Sequence, residues 1–175
     1  MSISFYEASV ENYLQTLAAT QGFLEKGLAY CKEMEVDPEE IVERRVFADM
    51  NPFRFQIHQV VSHSQGAIEA MKAGVLRVPA ERERPKSTYA ELQSLIADAH
   101  AALTKIKPAE IDGLEDRDIV FEVRDSKRVF TCKGFLFSFS LPNFYFHATT
   151  AYDILRGRGV PIGKRDFMGQ LRLKT

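Results

Sequence analysis

Apolar residues recur at steps of three and four along four stretches of the chain, which is the spacing of one face of an amphipathic α-helix. In the last of these stretches the face carries Phe144, Ala148, Ala151 and Leu155. Helix-start signals support two of the others, because Asn51-Pro52 and Thr88 with Glu91 match common capping patterns. We predict long helices at about residues 4–31, 51–74, 88–107 and 140–156.

The connections between these helices carry different patterns. A short helix is predicted from Asp37-Pro38 to about Phe47, and residues 75–86 have no period and are predicted to be a solvated connection. Between Asp112 and Gly134 apolar residues alternate with polar ones around a polar turn, which predicts a small β-hairpin before the last helix. The tail after the fourth helix is predicted to be loop. Four amphipathic helices bury their faces most simply as an all-α four-helix bundle.

Composition narrows the class of protein. With 175 residues, of which 45% are hydrophobic, the chain can bury one compact core, so we predict a single domain over residues 1–175. The 23 basic and 24 acidic residues leave a formal charge of −1, which offers no broad positive field to nucleic acid. The uncharged run from Gly134 to Tyr152 is interrupted by Pro142 and Asn143, so we expect no membrane span.

Three segments carry a resemblance to a known family. The stretch LPNFYFHATTAYDILRGRGVPIGKRDFMG, with NPFRF at the second helix and KIKPAEIDGLEDRDI after the third, resembles an uncharacterised bacterial domain family of unknown function within the DinB/YfiT-like superfamily. The resemblance covers nearly the whole chain. It implies an antiparallel four-helix bundle, often packed as a homodimer, with no settled activity. In the wider metalloenzyme superfamily, catalytic members bind a divalent metal through one histidine on the second helix and two, four residues apart, on the fourth. Some of them serve thiol-dependent transfer.

The metal ligands that this resemblance implies are incomplete here. His147 lies where the pair on the fourth helix would begin, but one turn later the chain has Ala151. Asp153 cannot replace the missing histidine, because six residues turn its carboxylate about 120° away from His147. His58 and His63 fall roughly 100° to either side of the apolar face of the second helix. We therefore expect no bound metal; a zinc or nickel ion, if present, would use His147 with His63 or His58.

His147 is still the strongest candidate for a functional residue. It lies within the apolar face of its helix, where a neutral imidazole needs hydrogen-bond partners. One interpretation is a core histidine bonded to the backbone or to Gln21. The other is a small pocket in which His147, with Tyr152 or Tyr13, acts as a polar anchor or proton carrier. The polar residues Gln21 and Ser64, at positions predicted to be buried, could set the helix register or line a wet cavity.

Two functional hypotheses follow from these residues. The one we favour is a non-catalytic or small-ligand-binding DinB-like bundle with a degenerate metal site and no cofactor. The alternative is a divalent-metal-dependent transferase or hydrolase, of the thiol-dependent type, that uses His147 with His63 or His58. The glycine-rich tail does not support nucleotide binding, because its spacing differs from that of a phosphate loop and no strand precedes it.

The aromatic content bears on partners. Thirteen Phe and six Tyr exceed what the interior of one bundle needs, so we expect an apolar face that is buried in a homodimer. The first residues, Met1 to Leu14, lack the basic and then apolar pattern of a secretory signal, so we expect a cytoplasmic protein. A small-molecule ligand is the other partner considered; nucleic acid and membrane are not expected.

Overall fold

The computed structural model describes residues 3–78 and 86–174 and is mostly helical. Its first helix runs without a break from Phe5, through a π-helical turn at Glu7–Glu11, into α1. The α-helices of the described ranges are α1 Asn12–Glu33, α2 Glu39–Val42, α3 Phe53–Ser62, α4 Gln65–Ala73, α5 Tyr89–Thr104, α6 Cys132–Phe135, α7 Leu141–Gly157 and α8 Lys164–Met168. The strands are β1 Val75–Val78, β2 Asp118–Val123 and β3 Ser126–Thr131.

The long helical segments pack around a shared core. Helix α1 contacts α5 and α7, and α3 contacts the same two helices. The residues at helical spacing on the predicted apolar faces are buried or half-buried, except Leu28 of α1, which is 40% exposed. The predicted capping box of α5 is also confirmed: Thr88 Oγ1 accepts from the Glu91 amide at 3.2 Å, and the Glu91 carboxylate accepts from the Thr88 amide at 2.7 Å. Helical periodicity therefore located most of the core correctly.

The second helix is broken, contrary to the prediction of one helix over residues 51–74. Helix α3 ends at Ser62 and α4 begins at Gln65, with Ser64 at φ −115° and ψ −86° between them. The buried Ser64 hydroxyl donates to the Val60 carbonyl at 2.7 Å. A serine side chain that bonds to the backbone one turn earlier competes with the helix and often bends it. The break lies at His63 and Ser64, beside the candidate site.

The last long helix begins earlier than predicted. It is helical from Cys132, where the Thr131 hydroxyl caps it by accepting from the Gly134 amide at 3.1 Å. A π-helical turn at Leu136–Ser140 joins α6 to α7, and the Leu141 amide donates to the Leu136 carbonyl across it. Pro142 follows at the start of α7. A proline within a helix lacks an amide hydrogen and clashes with the carbonyl one turn earlier, and the wider turn relieves this conflict.

A three-stranded sheet packs against α4 and α6. Strand β2 pairs antiparallel with β3, and a turn of two residues connects these strands. Strand β2 also pairs parallel with β1, so the strand order is β1-β2-β3. Residues 75–78, predicted to belong to a solvated connection, form strand β1, so that part of the prediction is wrong. Residues 79–85 of the same predicted connection lie outside the described ranges. The inner face of the sheet meets the aromatic run, since the Phe121 and Phe139 ring centroids are 4.9 Å apart.

Two short segments also differ from the prediction. The tail is not all loop, because α8 forms at Lys164–Met168 and packs against α1. Lys26 and Asp166 make an ion pair at 2.5 Å in this contact, and Gln15 donates to the Met168 carbonyl at 2.9 Å. The short helix predicted to reach Phe47 ends at Val42 instead.

Candidate functional site

The structure brings two histidines together inside the protein. The ring centroids of His63 and His147 are 5.8 Å apart and their planes differ by 10°. Both residues are buried, with exposed fractions of 8% and 9%. One lies at the end of α3 and the other near the middle of α7, two helices that pack against each other. This pair is the centre of the candidate site.

The position of His63 corrects the sequence analysis, which left it outside the apolar face of the second helix. Helix α3 contacts both α5 and α7, so it buries an arc wider than its apolar stripe. Gln56 and His63 are seven residues apart and therefore share one edge of that arc. Both are buried. This polar pair at a spacing of seven was the signal in the sequence that could have revealed the site.

Gln56 supplies the hydrogen bond that His147 requires. Its Oε1 atom lies 2.7 Å from His147 Nδ1, and its Nε2 donates to the Asn51 carbonyl at 2.8 Å. The expected partner, Gln21, is half-buried on α1. The interpretation of His147 as a core histidine with a hydrogen-bond partner is therefore right about the bond, but the partner is a glutamine on α3.

A buried hydrogen-bond chain reaches the site from α1. The Ser140 hydroxyl donates to the His63 carbonyl at 2.8 Å and lies 2.7 Å from the Tyr13 hydroxyl. Because a serine hydroxyl has a single hydrogen, Tyr13 must be the donor to Ser140. Burial raises the pKa of Tyr13 well above its ordinary value, which keeps the phenol protonated as a donor. Tyr13, a predicted pocket residue, is thus connected to the backbone of His63.

Aromatic rings surround the two imidazoles. The Phe55 centroid is 5.9 Å from that of His147, the Phe139 centroid is 5.4 Å from that of His63, and Phe146 contacts its neighbour His147 edge-on at 5.2 Å. Phe146 is also 57% exposed. The site therefore combines two polar rings with a mainly aromatic surrounding, of which one member reaches the surface.

The structure places Tyr152 in another part of the core. Its ring lies edge-on to those of Phe23 and Phe167, at 6.2 and 5.8 Å, and its hydroxyl donates to the Ile162 carbonyl at 3.4 Å. These contacts tie α7 to α1 and α8. Of the residues proposed to form a pocket with His147, Tyr13 is linked to the histidine pair through Ser140, whereas the contacts of Tyr152 lie elsewhere.

His58 lies on the other side of α3. Its Nε2 atom is 2.9 Å from the hydroxyl of Ser87, just before α5. Burial, and secondly the positive charge of Arg54, lower the pKa of His58 below its ordinary value. Helical geometry correctly predicted that His58 and His63 point in different directions, but only His58 is directed away from the site.

Acid should destabilise the protein partly through His58. As the pH falls through about 6.5, the unfolded chain binds a proton at this histidine before the folded chain does. The stabilising contribution is therefore present above that pH and is lost below it. We expect the urea midpoint to fall less between about pH 8 and pH 5.5 in His58→Gln than in the wild type. His100→Gln, on α5, is the matched control, and equal losses in wild type and His58→Gln would contradict the assignment.

The residues present do not make a complete metal centre. No group of three or more His, Cys, Asp or Glu side chains in the described ranges could hold a metal ion. His63 and His147 could supply two nitrogen donors, but a catalytic zinc site generally uses three protein ligands. Ala151 is buried one turn after His147, and Asp153 is exposed, in agreement with the prediction that its carboxylate turns away from His147. A third ligand is thus missing from the described part of the site.

No helix in residues 3–78 or 86–174 combines the length and hydropathy needed to cross a bilayer. This finding agrees with the interrupted pattern of the apolar run in α6 and α7.

Comparisons with known proteins identify the family. The model of a domain of unknown function, DUF1993, matches residues 5–168. No curated protein matches the chain. Among solved structures, a DinB family member protein from Shewanella denitrificans is similar in fold, with a TM-score of 0.83 and 24% identity over 97% of this chain and 94% of that one. The chain therefore belongs to the DUF1993 family, a domain of unknown function, and has a DinB-like fold.

Proposed function

We propose that this protein is a non-catalytic bundle that binds a small ligand at the His63–His147 pair, where the metal site of its relatives has degenerated. The observation that carries the proposal is the pair itself, buried with its ring centroids 5.8 Å apart among aromatic side chains. Ligand sites of proteins are lined mostly by apolar and aromatic groups with a few convergent polar ones, and two imidazoles against Phe55 and Phe139 have that composition. The expected ligand has an aromatic or aliphatic body and one polar group.

The proximity of the two imidazoles also favours a second candidate, a divalent-metal-dependent transferase or hydrolase that uses His147 with His63. His58 would not take part, because it faces Ser87. Within residues 3–78 and 86–174 no third ligand completes the pair, which argues against this candidate.

Metal content separates the two functions. Protein purified without an affinity tag should contain less than about a tenth of an equivalent of Zn, Ni, Mn or Fe, because two imidazoles alone hold a divalent ion weakly. Elemental analysis by mass spectrometry provides the measurement. A stoichiometric metal that is lost in His63→Ala and His147→Ala but kept in His58→Ala would support the metalloenzyme instead.

Ligand binding can be observed at the histidines themselves. The chain has four, so His58 and His100 act as internal controls for the pair in one NMR spectrum. Phenol and benzoate are suitable probes, since each joins an aromatic ring to one polar group. Saturable shifts of the His63 and His147 ring signals alone, with either probe, support the site. Equal shifts at all four histidines, or none at millimolar probe, contradict it.

We further propose that the protein is a cytoplasmic homodimer of one domain, residues 1–175, folded as an antiparallel four-helix bundle. Large apolar side chains remain exposed on a single chain, including Phe47 at 69%, Phe137 at 57% and Phe146 at 57%. Such surface supports association of two copies. Light scattering at micromolar concentration should return twice the chain mass of 19.9 kDa. A mass of one chain would contradict the dimer.

A further inference from the structure

We propose that the free edge of strand β3 is the surface through which two copies of this chain associate, with Val129 opposite Val129 of the second copy on a two-fold axis. The sheets of the two copies then form one continuous sheet. This inference rests on the homodimer proposed above and names its interface. It is carried by the register of the sheet, the direction of the β3 backbone groups and the side chains along this edge.

Strand β3 is an edge of the sheet, because among the described residues only β2 pairs with it. Its residues from Ser126 to Val129 are all exposed. A strand that presents unpaired N–H and C=O groups is a template for pairing with another chain, and proteins commonly cover or charge such an edge. On the described part of a single chain, the β3 edge is therefore open to a further strand.

The backbone groups of alternate β3 residues face this open edge. The turn before Ser126 has two residues, so this first residue of β3 is a hydrogen-bonded partner of β2. Just after β3 the Cys132 amide donates to the Arg117 carbonyl at 2.8 Å, in the same alternation. Bonded and non-bonded positions alternate in an antiparallel pair. The even-numbered residues of β3 therefore bond to β2, whereas the N–H and C=O groups of Lys127 and Val129 face away from it.

The side chains along the edge favour one register for the second copy. An axis at Val129 sets Lys127 opposite Thr131. It also sets Arg128 opposite Phe130, where a guanidinium can contact an aromatic ring. An axis at Lys127 or Arg128 would instead set like charges directly opposite each other, which destabilises a strand pair. An axis at Phe130 would pair fewer residues, because β3 ends at Thr131.

An apolar row would continue across the two copies in this register. Val75, Val120 and Val129 are paired across the three strands, on the face of the sheet turned away from the aromatic run. Val129 is 64% exposed on a single chain. The basic side chain beside it is balanced within its own sheet, since Lys127 makes an ion pair with Glu122 at 2.8 Å. Pairing at Val129 would therefore remove apolar surface from water without opposing two charges.

Cysteine cross-linking tests the register. Hydrogen-bonded residues opposite each other in antiparallel strands have α-carbons about 5.5 Å apart, which a disulfide can span. Val129→Cys should therefore give a disulfide-linked dimer with oxidised glutathione at low micromolar protein. Lys127→Cys, also exposed, is the matched control and should not, because it lies about 13 Å from its own copy along the strands. The native Cys31 and Cys132 are buried and common to both variants.

Non-reducing electrophoresis measures the cross-linked fraction. A linked dimer in Val129→Cys and little in Lys127→Cys supports the interface. Equal yields in the two variants, or no linked dimer in either, would overturn it.

Val129→Pro tests whether this edge holds the two copies together. Proline here removes only an N–H that faces away from β2, so the sheet of one chain should keep its hydrogen bonds. Light scattering at micromolar concentration should then fall from the mass of two chains to that of one, with an unchanged circular dichroism spectrum. If this variant does not fold, the cysteine pair decides.

The outcomes separate this interface from the homodimer itself. A folded Val129→Pro variant that keeps the mass of two chains would overturn the β3 interface and leave the homodimer standing on another surface. A wild type with the mass of one chain would refute the homodimer and the interface together.

Discussion

Replacing Ser140 by alanine is expected to lower the free energy of unfolding by about 2–4 kcal/mol. The change removes the hydrogen bond to the His63 carbonyl and takes away the acceptor that the buried Tyr13 hydroxyl uses. A buried polar group left without its partner costs about 1–3 kcal/mol, and a lost hydrogen bond about 1 kcal/mol more. Urea denaturation followed by circular dichroism measures the difference.

Tyr13→Phe is the matched control for this prediction. It removes the Tyr13 hydroxyl, which donates to Ser140, but leaves the hydrogen bond from Ser140 to the His63 carbonyl in place. The free energy of unfolding should therefore fall by about 1 kcal/mol. Equal costs for Tyr13→Phe and Ser140→Ala would show that the direction of donation deduced from the single serine hydrogen is wrong.

Replacing Gly27 by alanine should destabilise the protein by about 1–3 kcal/mol, although alanine is the better helix former. A β-carbon at this position would lie 2.4 Å from the Tyr89 hydroxyl oxygen and 3.2 Å from a methyl carbon of Leu155. The hydroxyl is not free to move aside without loss, because it donates to the Leu24 carbonyl at 2.9 Å. Thermal and urea denaturation of the variant measure the effect.

The same helix contains the control. A β-carbon at Gly22 would meet no atom within 4 Å, so Gly22→Ala should stabilise the protein by about 0.5–1 kcal/mol. Tyr89→Phe removes the clashing oxygen, so adding Gly27→Ala to that background should cost little. A cost of Gly27→Ala that is the same with and without the Tyr89 hydroxyl would refute the steric explanation.

Sequence periodicity predicted buried residues correctly where a helix buries one apolar face. The buried face of α7 from Phe144 to Leu155, the capping box at Thr88 and the position of Asp153 away from that face were all deduced from residues of a single helix. Such features depend on residues close together in the chain. They can therefore be predicted without knowing which elements become neighbours in the fold.

The features that were missed depend on distant partners. Strand β1 looks like an aperiodic connection because its partner, β2, lies on the far side of α5 in the sequence. The break at His63 and Ser64 does not interrupt the apolar stripe, so the stripe suggested one continuous helix. The π-helical turn at Leu136–Ser140 allowed the helix to begin before Pro142, a residue that on its own suggests a helix start.

For the same reason, only part of the candidate site could be predicted from the sequence. His147 could be singled out because a histidine in an apolar stripe is conspicuous in any sequence. Gln56 and His63 become part of the site only because α3 is covered on two sides, by α5 and α7. Ser140 is one of two serines in an aromatic run, and nothing local distinguishes it from the exposed Ser138.

The parallel pairing of β1 with β2 has a consequence for how the chain folds. Strands β2 and β3, which two residues connect, can associate early, whereas Val75 reaches Val120 only after the loop that contains α5 has closed. Contacts between positions so far apart in sequence slow folding. The sheet should therefore be completed late, and the amides of β1 should become protected from hydrogen exchange after those of β2 and β3 during refolding.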